Sequence, residues 1–342
     1  MSAKKILVRA TNWIGDSVMS LPALEQLKTA FPKSHVCVLL RPWVRFVYEG
    51  HPAVDEILIY EKKNGIDRIC GLVRVIKRLR KEGFDVAILF QNAFEAGVIG
   101  FFSGAKLRVG LDTDMRRMFL THPVKRKKQH HIRDYLDIVS ALGVKTEEKA
   151  PRLYLKEKYL LEADNLLKEM GINGKRPLVG FSPGAAYGSA KMWPAEYFAR
   201  IAKRVIKEWN ANVLLFGSKK ETSICQKIQK EVKDVIDLSG KLDLGHAMGI
   251  IKRCALFLSN DSGLMHVASA LGVPTIGIFG STDPALTGPK GDHSCFVKSD
   301  ISCSPCFKRE CPKNLECLYS ISPDQVWEKM EEMRDETSGI LR

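Results

Sequence analysis

Residues 259–266 read Ser259-Asn260-Asp261-Ser262-Gly263-Leu264-Met265-His266. An apolar, strand-like run over 254–258 stops there, and a small-residue helix over 264–271 begins. Asp261 or Ser262 suits the N-cap, and Gly263 lets a ligand approach the backbone. His266 falls about one turn further along the same face. A helix N-terminus with free N–H groups and no side-chain bulk suits an anion, most directly a phosphate. The spacing is neither that of a Walker loop nor that of a dinucleotide fingerprint. Taken alone, the stretch reads equally well as an ordinary capped turn between a strand and a helix.

The same alternation extends outward in both directions. Before residue 150, apolar strand-like runs fall at 6–9, 36–40, 56–60, 86–90 and 107–110. Amphipathic helices are expected at 17–30, 43–49, 67–82, 93–102 and 131–142. A polar stretch and a charged helix lead to residue 177, where the pattern restarts. Strands are then expected at 178–182, 213–217, 235–237, 255–259 and 275–279, with helices at 195–209, 220–233, 244–252 and 264–271. A last amphipathic helix follows Pro323. Strands separated by helices of this length force parallel sheets with right-handed crossovers. The expectation is an α/β protein of two Rossmann-like domains facing across a cleft, with ligands at the carboxyl ends of the strands. We place the domains at 1–165 and 176–322, and expect the 323–342 helix to pack back on the first.

The chain's 342 residues suffice for two cores, and 45% apolar with 27% charged residues is the balance of a soluble globular protein. No run approaches the roughly 18–20 apolar residues of a membrane span. The N-terminus enters a strand directly, without a signal-peptide pattern, which points to the cytoplasm. Residues 1–150 hold 26 Lys/Arg against 16 Asp/Glu, and the remainder holds 27 against 23. The excess gathers at 74–81, at Arg116-Arg117 and at Lys125-Arg126-Lys127-Lys128. Such a face can meet a phosphorylated substrate, an anionic membrane or nucleic acid. No nucleic-acid module or interleaved aromatics accompany these charges, so nucleic acid is not expected as a partner. Four of nine cysteines cluster as Cys303, Cys306, Cys311 and Cys317. They are candidate metal ligands, but their spacing fits no standard pattern, and a loop held by packing explains them too.

Polar loops also follow other strands. Residues 10–17 carry Asn12, Gly15 and Asp16, the last either a helix N-cap or a general base. Residues 183–194 carry Tyr187, Gly188 and Lys191 ahead of Pro194; the lysine is either a surface residue or a cation for a diphosphate. Glu221 follows the second strand of the second half, where an acid commonly binds ribose hydroxyls or merely favours a helix dipole.

The Ile-Leu-Val-Arg-Ala-Thr-Asn-Trp-Ile-Gly-Asp-Ser-Val-Met-Ser-Leu-Pro-Ala opening over 6–23, the Ser-Pro-Gly-Ala-Ala-Tyr-Gly-Ser-Ala-Lys-Met-Trp-Pro loop over 182–194 and Asn-Asp-Ser-Gly-Leu-Met-His over 260–266 together resemble the ADP-heptose:lipopolysaccharide heptosyltransferases, most closely their heptosyltransferase II branch. Ala185, Ala186 and Tyr187 replace a Thr-containing loop of the heptosyltransferase I branch. The resemblance implies a GT-B fold in glycosyltransferase family 9, with acceptor on the first domain and sugar nucleotide on the second. It implies inverting, metal-independent transfer of L-glycero-D-manno-heptose to the first heptose of the inner core. The partners are then ADP-heptose, as co-substrate with no separate cofactor, and a heptosylated Kdo-lipid A at the inner membrane surface, met by a peripheral enzyme that we expect, as the default, to be a monomer. Asp16 would be the base and Lys191 the support for the leaving diphosphate. Asp261, Ser262, Gly263 and His266 would hold the donor phosphates, Glu221 the ribose and Leu242 the adenine. Asn12, Gly15, Tyr187 and Gly188 complete the expected substrate-binding set. A heptosyltransferase I or III or another GT-B glycosyltransferase, a nucleotide-sugar epimerase and a basic binding module are the competing readings, because the fold alone does not fix function.

Overall fold

The computed structural model describes residues 3–61 and 66–337. The chain divides between Tyr154 and Leu155 into two compact units. In the first, β1 (Lys5–Arg9), β2 (His35–Leu40), β3 (Glu56–Ile59), β4 (Val86–Leu89), β5 (Leu107–Leu111) and β6 (His122–Val124) form one sheet, ordered β3-β2-β1-β4-β5-β6. In the second, β7 (Leu178–Ser182), β8 (Asn212–Leu215), β9 (Ile236–Asp237), β10 (Leu256–Asn260), β11 (Thr275–Phe279) and β12 (Ser294–Lys298) are ordered β12-β11-β10-β7-β8-β9. Every neighbouring pair is parallel. Counted from each unit's own first strand, both orders are 3-2-1-4-5-6, the Rossmann order. The order reverses between β1 and β4, and again between β7 and β10. Helices leave the sheet in opposite directions there, opening a crevice at the strands' carboxyl ends.

The central strands are continuous apolar runs because helices cover both faces. All five residues of β7 and of β11 are buried. Leu7, Leu39, Leu89 and Ile99 lie in the first core, and Val179, Phe181, Leu258 and Ile276 in the second. Each sheet gains a sixth strand beyond the five expected. Both additions are edge strands, which pair on one side and need little apolar content. β6 is His-Pro-Val, and β12 keeps a partly exposed pattern. The helix expected over 17–30 is two, Ile14–Met19 and Leu21–Ala30. Pro22 lacks an N–H and its ring crowds the carbonyl four residues back, so the helix restarts at Ser20.

Two boundaries differ from expectation. The helix Glu157–Glu169 belongs to the second unit, where it buries Tyr159, Ala163 and Leu167. Arg253 ties it down with paired 2.8 Å bonds to Asp164. The helix Pro323–Thr337 also joins the second core, and residues 338–342 of the expected helix lie outside the described residues. Its stripe of Val326, Trp327, Met330 and Met333 is buried there, with Trp327 4.9 Å from Trp209. Apolar positions one turn apart on one face need an apolar neighbour, and the helix Ala195–Trp209 supplies it. Among the described residues no helix is long and apolar enough to cross a membrane.

Candidate active site at the two strand-order reversals

In the second unit, the loops after β7 and β10 meet at the reversal point. Lys191, in a short 3-10 turn Ser189–Lys191, pairs with Asp261 Oδ2 at 2.5 Å, and both side chains are nearly buried. Thr282 Oγ1, from the loop after β11, donates to the same oxygen at 2.7 Å, and Thr287 Oγ1 stands 3.5 Å away. Asn260 stitches the loops from beneath. Its Nδ2 donates to Pro183 O at 2.7 Å and its Oδ1 accepts from Trp193 N at 3.1 Å. A fully buried amide satisfied on both sides holds the Lys191 loop in one place.

Ser262, and not Asp261, occupies the N-cap of the helix Gly263–Ala270, and makes no side-chain cap bond. Its hydroxyl instead lies 3.1 Å from Ser259 Oγ. The first amides of that helix are thus left without a side-chain cap, next to the Lys191–Asp261 pair. His266 follows one turn on and is buried. Tyr187 lies with Lys191 Nζ 4.8 Å from its ring and Arg309 5.2 Å from it, and its hydroxyl donates to Phe307 O at 2.9 Å. Gly188 permits this packing: a Cβ there would stand 2.2 Å from Arg309 O. The 303–311 loop therefore braces the Lys191 loop, with Ala190 N donating to Arg309 O at 3.0 Å.

Glu221 closes a capping box: Oε2 accepts from Ser218 N at 2.7 Å. Its other oxygen lies 2.4 Å from the place a Cβ on Gly184 would take, so the missing side chain there leaves room for the acid beside the loop after β7. Leu242 is half-buried, one residue before the Asp243 N-cap of the helix Leu244–Ile251. The four clustered cysteines are free thiols. Burial first, and then Cys311, Cys303 and Cys306, push the Cys317 thiol up. Among the described residues no three His, Cys, Asp or Glu side chains, those of Cys303, Cys306, Cys311 and Cys317 included, come together as a metal-holding group.

In the first unit, Trp13 takes the N-cap of the helix Ile14–Met19, which removes the capping alternative for Asp16. Asp16 lies in the first turn, where the helix dipole favours a carboxylate. Tyr135 Oη, from the helix His131–Ser140, donates to Asp16 Oδ1 at 3.0 Å, and His131 Nδ1 is 3.8 Å from the same oxygen. Burial, then the charge of Asp16, hold the Tyr135 phenol well above its usual range, so it remains a donor. Gly15 is buried in the same turn. Asn12 Oδ1 accepts from Arg9 at 3.0 Å, and the Asn12 backbone N–H donates to Gln91 Oε1 at 3.1 Å, linking the loops after β1 and β4. Arg9 is fully buried, and burial together with Arg41 lowers its pKa to about 10.

A model of the family described as glycosyltransferase family 9 (heptosyltransferase) matches residues 72–316. The chain belongs to glycosyltransferase family 9. The transferase is 30% identical to lipooligosaccharide heptosyltransferase 2 of Haemophilus ducreyi over 96% of its own length and 99% of that relative. Its backbone is similar to the solved E. coli ADP-heptose lps heptosyltransferase II, with a TM-score of 0.83 at 25% identity, covering 98% and 99% of the two chains. A family 9 glycosyl transferase from Veillonella parvula is similar at a TM-score of 0.88 and 27% identity, over 98% of each. The resemblance to heptosyltransferase II and the GT-B fold class are thereby established.

Some residues of the candidate site escaped the sequence reading. Thr282 follows β11, so the strand-end criterion that selects Lys191 also selects it. Asn260 lies inside a recognised motif, but its two backbone partners are 67 and 77 residues away. Tyr135 carries no local signal; a buried tyrosine on an amphipathic helix looks like core until its hydroxyl partner is known.

Proposed function

We propose that this heptosyltransferase moves L-glycero-D-manno-heptose from ADP-heptose to a hydroxyl of the first heptose in the lipopolysaccharide inner core, with inversion and without a metal. The observation that carries the reading is the Lys191–Asp261 pair beside the uncapped N-terminus of the helix Gly263–Ala270. Breaking the bond between the sugar's anomeric carbon and the diphosphate oxygen leaves negative charge on the diphosphate. An ammonium and oriented backbone amides are suited to that charge. Asp261, with Thr282, holds Lys191 in position and acts on the phosphates through it. Glu221 would take the ribose hydroxyls and Leu242 would cover the adenine, with Tyr187 and Gly188 shaping the loop. In the first unit, Asp16 would accept the acceptor hydroxyl's proton as that oxygen bonds the anomeric carbon from the face opposite the leaving group. Asn12 and Gly15 would line the acceptor side. One displacement gives one inversion. The names of the relatives support the donor and the second-heptose step. The acceptor's lipid supports action at the cytoplasmic surface of the inner membrane.

The test is ADP release from ADP-heptose, with and without a mono-heptosylated core acceptor, in EDTA, for wild type and Asp16→Asn. Acceptor-dependent release that survives EDTA and collapses in the variant is the expected result. Release that needs no acceptor, or none with any heptosylated acceptor, would overturn the reading.

A further inference from the structure

The reaction as derived leaves unused a group of apolar side chains in the first unit. Met115 and Met118 are 79% and 73% exposed, and Phe94, Phe101 and Phe102 are exposed as well. The phenylalanines form one cluster: Phe119 stands 5.3 Å from Phe94 and 5.7 Å from Phe101, and Phe101 stands 5.2 Å from Phe102, while Met115 and Met118 lie on the short turn that ends at Phe119. The turn that carries the methionines follows β5 at the carboxyl edge of the sheet, the edge that also bears Asp16. It cannot collapse inward, because Arg116 is buried beneath it. Arg116 Nε donates to Leu111 O at 2.8 Å, and its Nη2 donates to Asn92 Oδ1 at 3.1 Å. Met115 and Met118 are therefore held outward on either side of an anchored arginine. Exposed apolar groups tied together in this way mark an interaction surface.

Charge identifies the partner. Lys125, Arg126, Lys127 and Lys128 are all exposed and leave β6 beside this turn, where Asp112 N donates to Val124 O at 2.7 Å. Lys106 is exposed near the helix end, and the Arg108 guanidinium lies 5.3 Å from the Phe101 ring. Residues 1–150 carry ten more Lys/Arg than Asp/Glu, which disfavours a second copy of the same face and favours an anionic partner. Methionine and phenylalanine at the crest with lysine and arginine on the flank is the arrangement of an interfacial anchor. The apolar groups enter the acyl boundary, and the cations meet headgroup phosphates.

We propose that the 113–119 turn, the Phe101–Phe102 helix end and the 125–128 run form a docking surface for an anionic lipid bilayer. The proposal rests on the acceptor reading above only in making a lipid surface the place of work. The test floats the full-length protein with phosphatidylcholine vesicles, with and without phosphatidylglycerol. Wild type rises with the anionic vesicles alone and is released by salt. The Met115→Glu/Met118→Glu and Lys125→Glu/Lys128→Glu variants each lose partitioning by about tenfold or more. Equal flotation with both vesicle types, none with either, or unchanged binding by both variants would overturn it. So would a wild-type dimer that the methionine variant turns into a monomer, since the face would then be a self-association surface. ADP release with a lipid-free heptosylated core sugar stays at the wild-type rate in both variants. Its absence in wild type would sink the acceptor reading while leaving the flotation result standing.

Discussion

The two units share a strand order and a reversal point, yet they equip it in opposite ways. In the second unit the reversal point is built from buried polar groups that bond one another. Lys191 bonds Asp261, Thr282 bonds the same carboxylate, and Asn260 ties both flanks of the lysine loop. In the first, Asp16 is part-exposed, hydrogen-bonded to Tyr135 and 3.8 Å from His131, and the edge around it presents exposed Trp13 and Trp43. The backbone scaffold is common, and the side chains grafted on it decide the chemistry. A rigid charged cradle fits a diphosphate whose charge must be met without reorganisation. A more open edge with aromatic faces fits a large sugar acceptor.

The comparison breaks most visibly at Asp16. Asp16→Asn should lower the transfer rate by about 100- to 10,000-fold while ADP binding, measured by calorimetry, stays at the wild-type value. A parallel loss of ADP affinity would show that the two edges do not divide the work. Lys191→Ala should cost about 100- to 1,000-fold in kcat and also weaken ADP binding. It should destabilise the protein as well, by about 3–5 kcal/mol, because a nearly buried Asp261 loses its partner. Adding Asp261→Ala should restore much of that stability, read by denaturant titration, and none of the activity. Recovery of activity in the double variant would mean that Lys191 serves only the pair.

A structural contrast sharpens the picture. Trp327→Ala removes a side chain that is 2% exposed in the second core, and should destabilise by about 3–5 kcal/mol in thermal or denaturant unfolding. An unchanged midpoint would show that the last helix is not part of that core. The smallest effect is expected at Tyr135→Phe. The phenol stays protonated across any assay pH, and it donates to the charged form of Asp16. Losing that donor disfavours the carboxylate, so the acid limb of the kcat profile should move to higher pH with little change on the plateau. A uniform drop with no movement of the limb would assign Tyr135 to packing alone.

Much of this was legible along the chain because its signals are local. The apolar runs of β1, β7, β10 and β11 and the helices between them follow from periodicity within a dozen residues, and they suffice for two parallel sheets. Strand-end loops likewise single out Asp16, Lys191 and Asp261, since a helix following a strand must start at the carboxyl edge. The edge strands β6 and β12 were illegible, because an edge position relaxes the apolar pattern by which strands are read. Tertiary structure alone decided that Asp261 holds Lys191 across 70 residues, that Tyr135 reaches Asp16 across 119, and that the last helix completes the second core. Local sequence fixes which backbone segments form and where their polar residues emerge. Which of those residues become partners depends on how strands far apart in the chain are ordered in the sheet, and that order is settled by packing the whole unit.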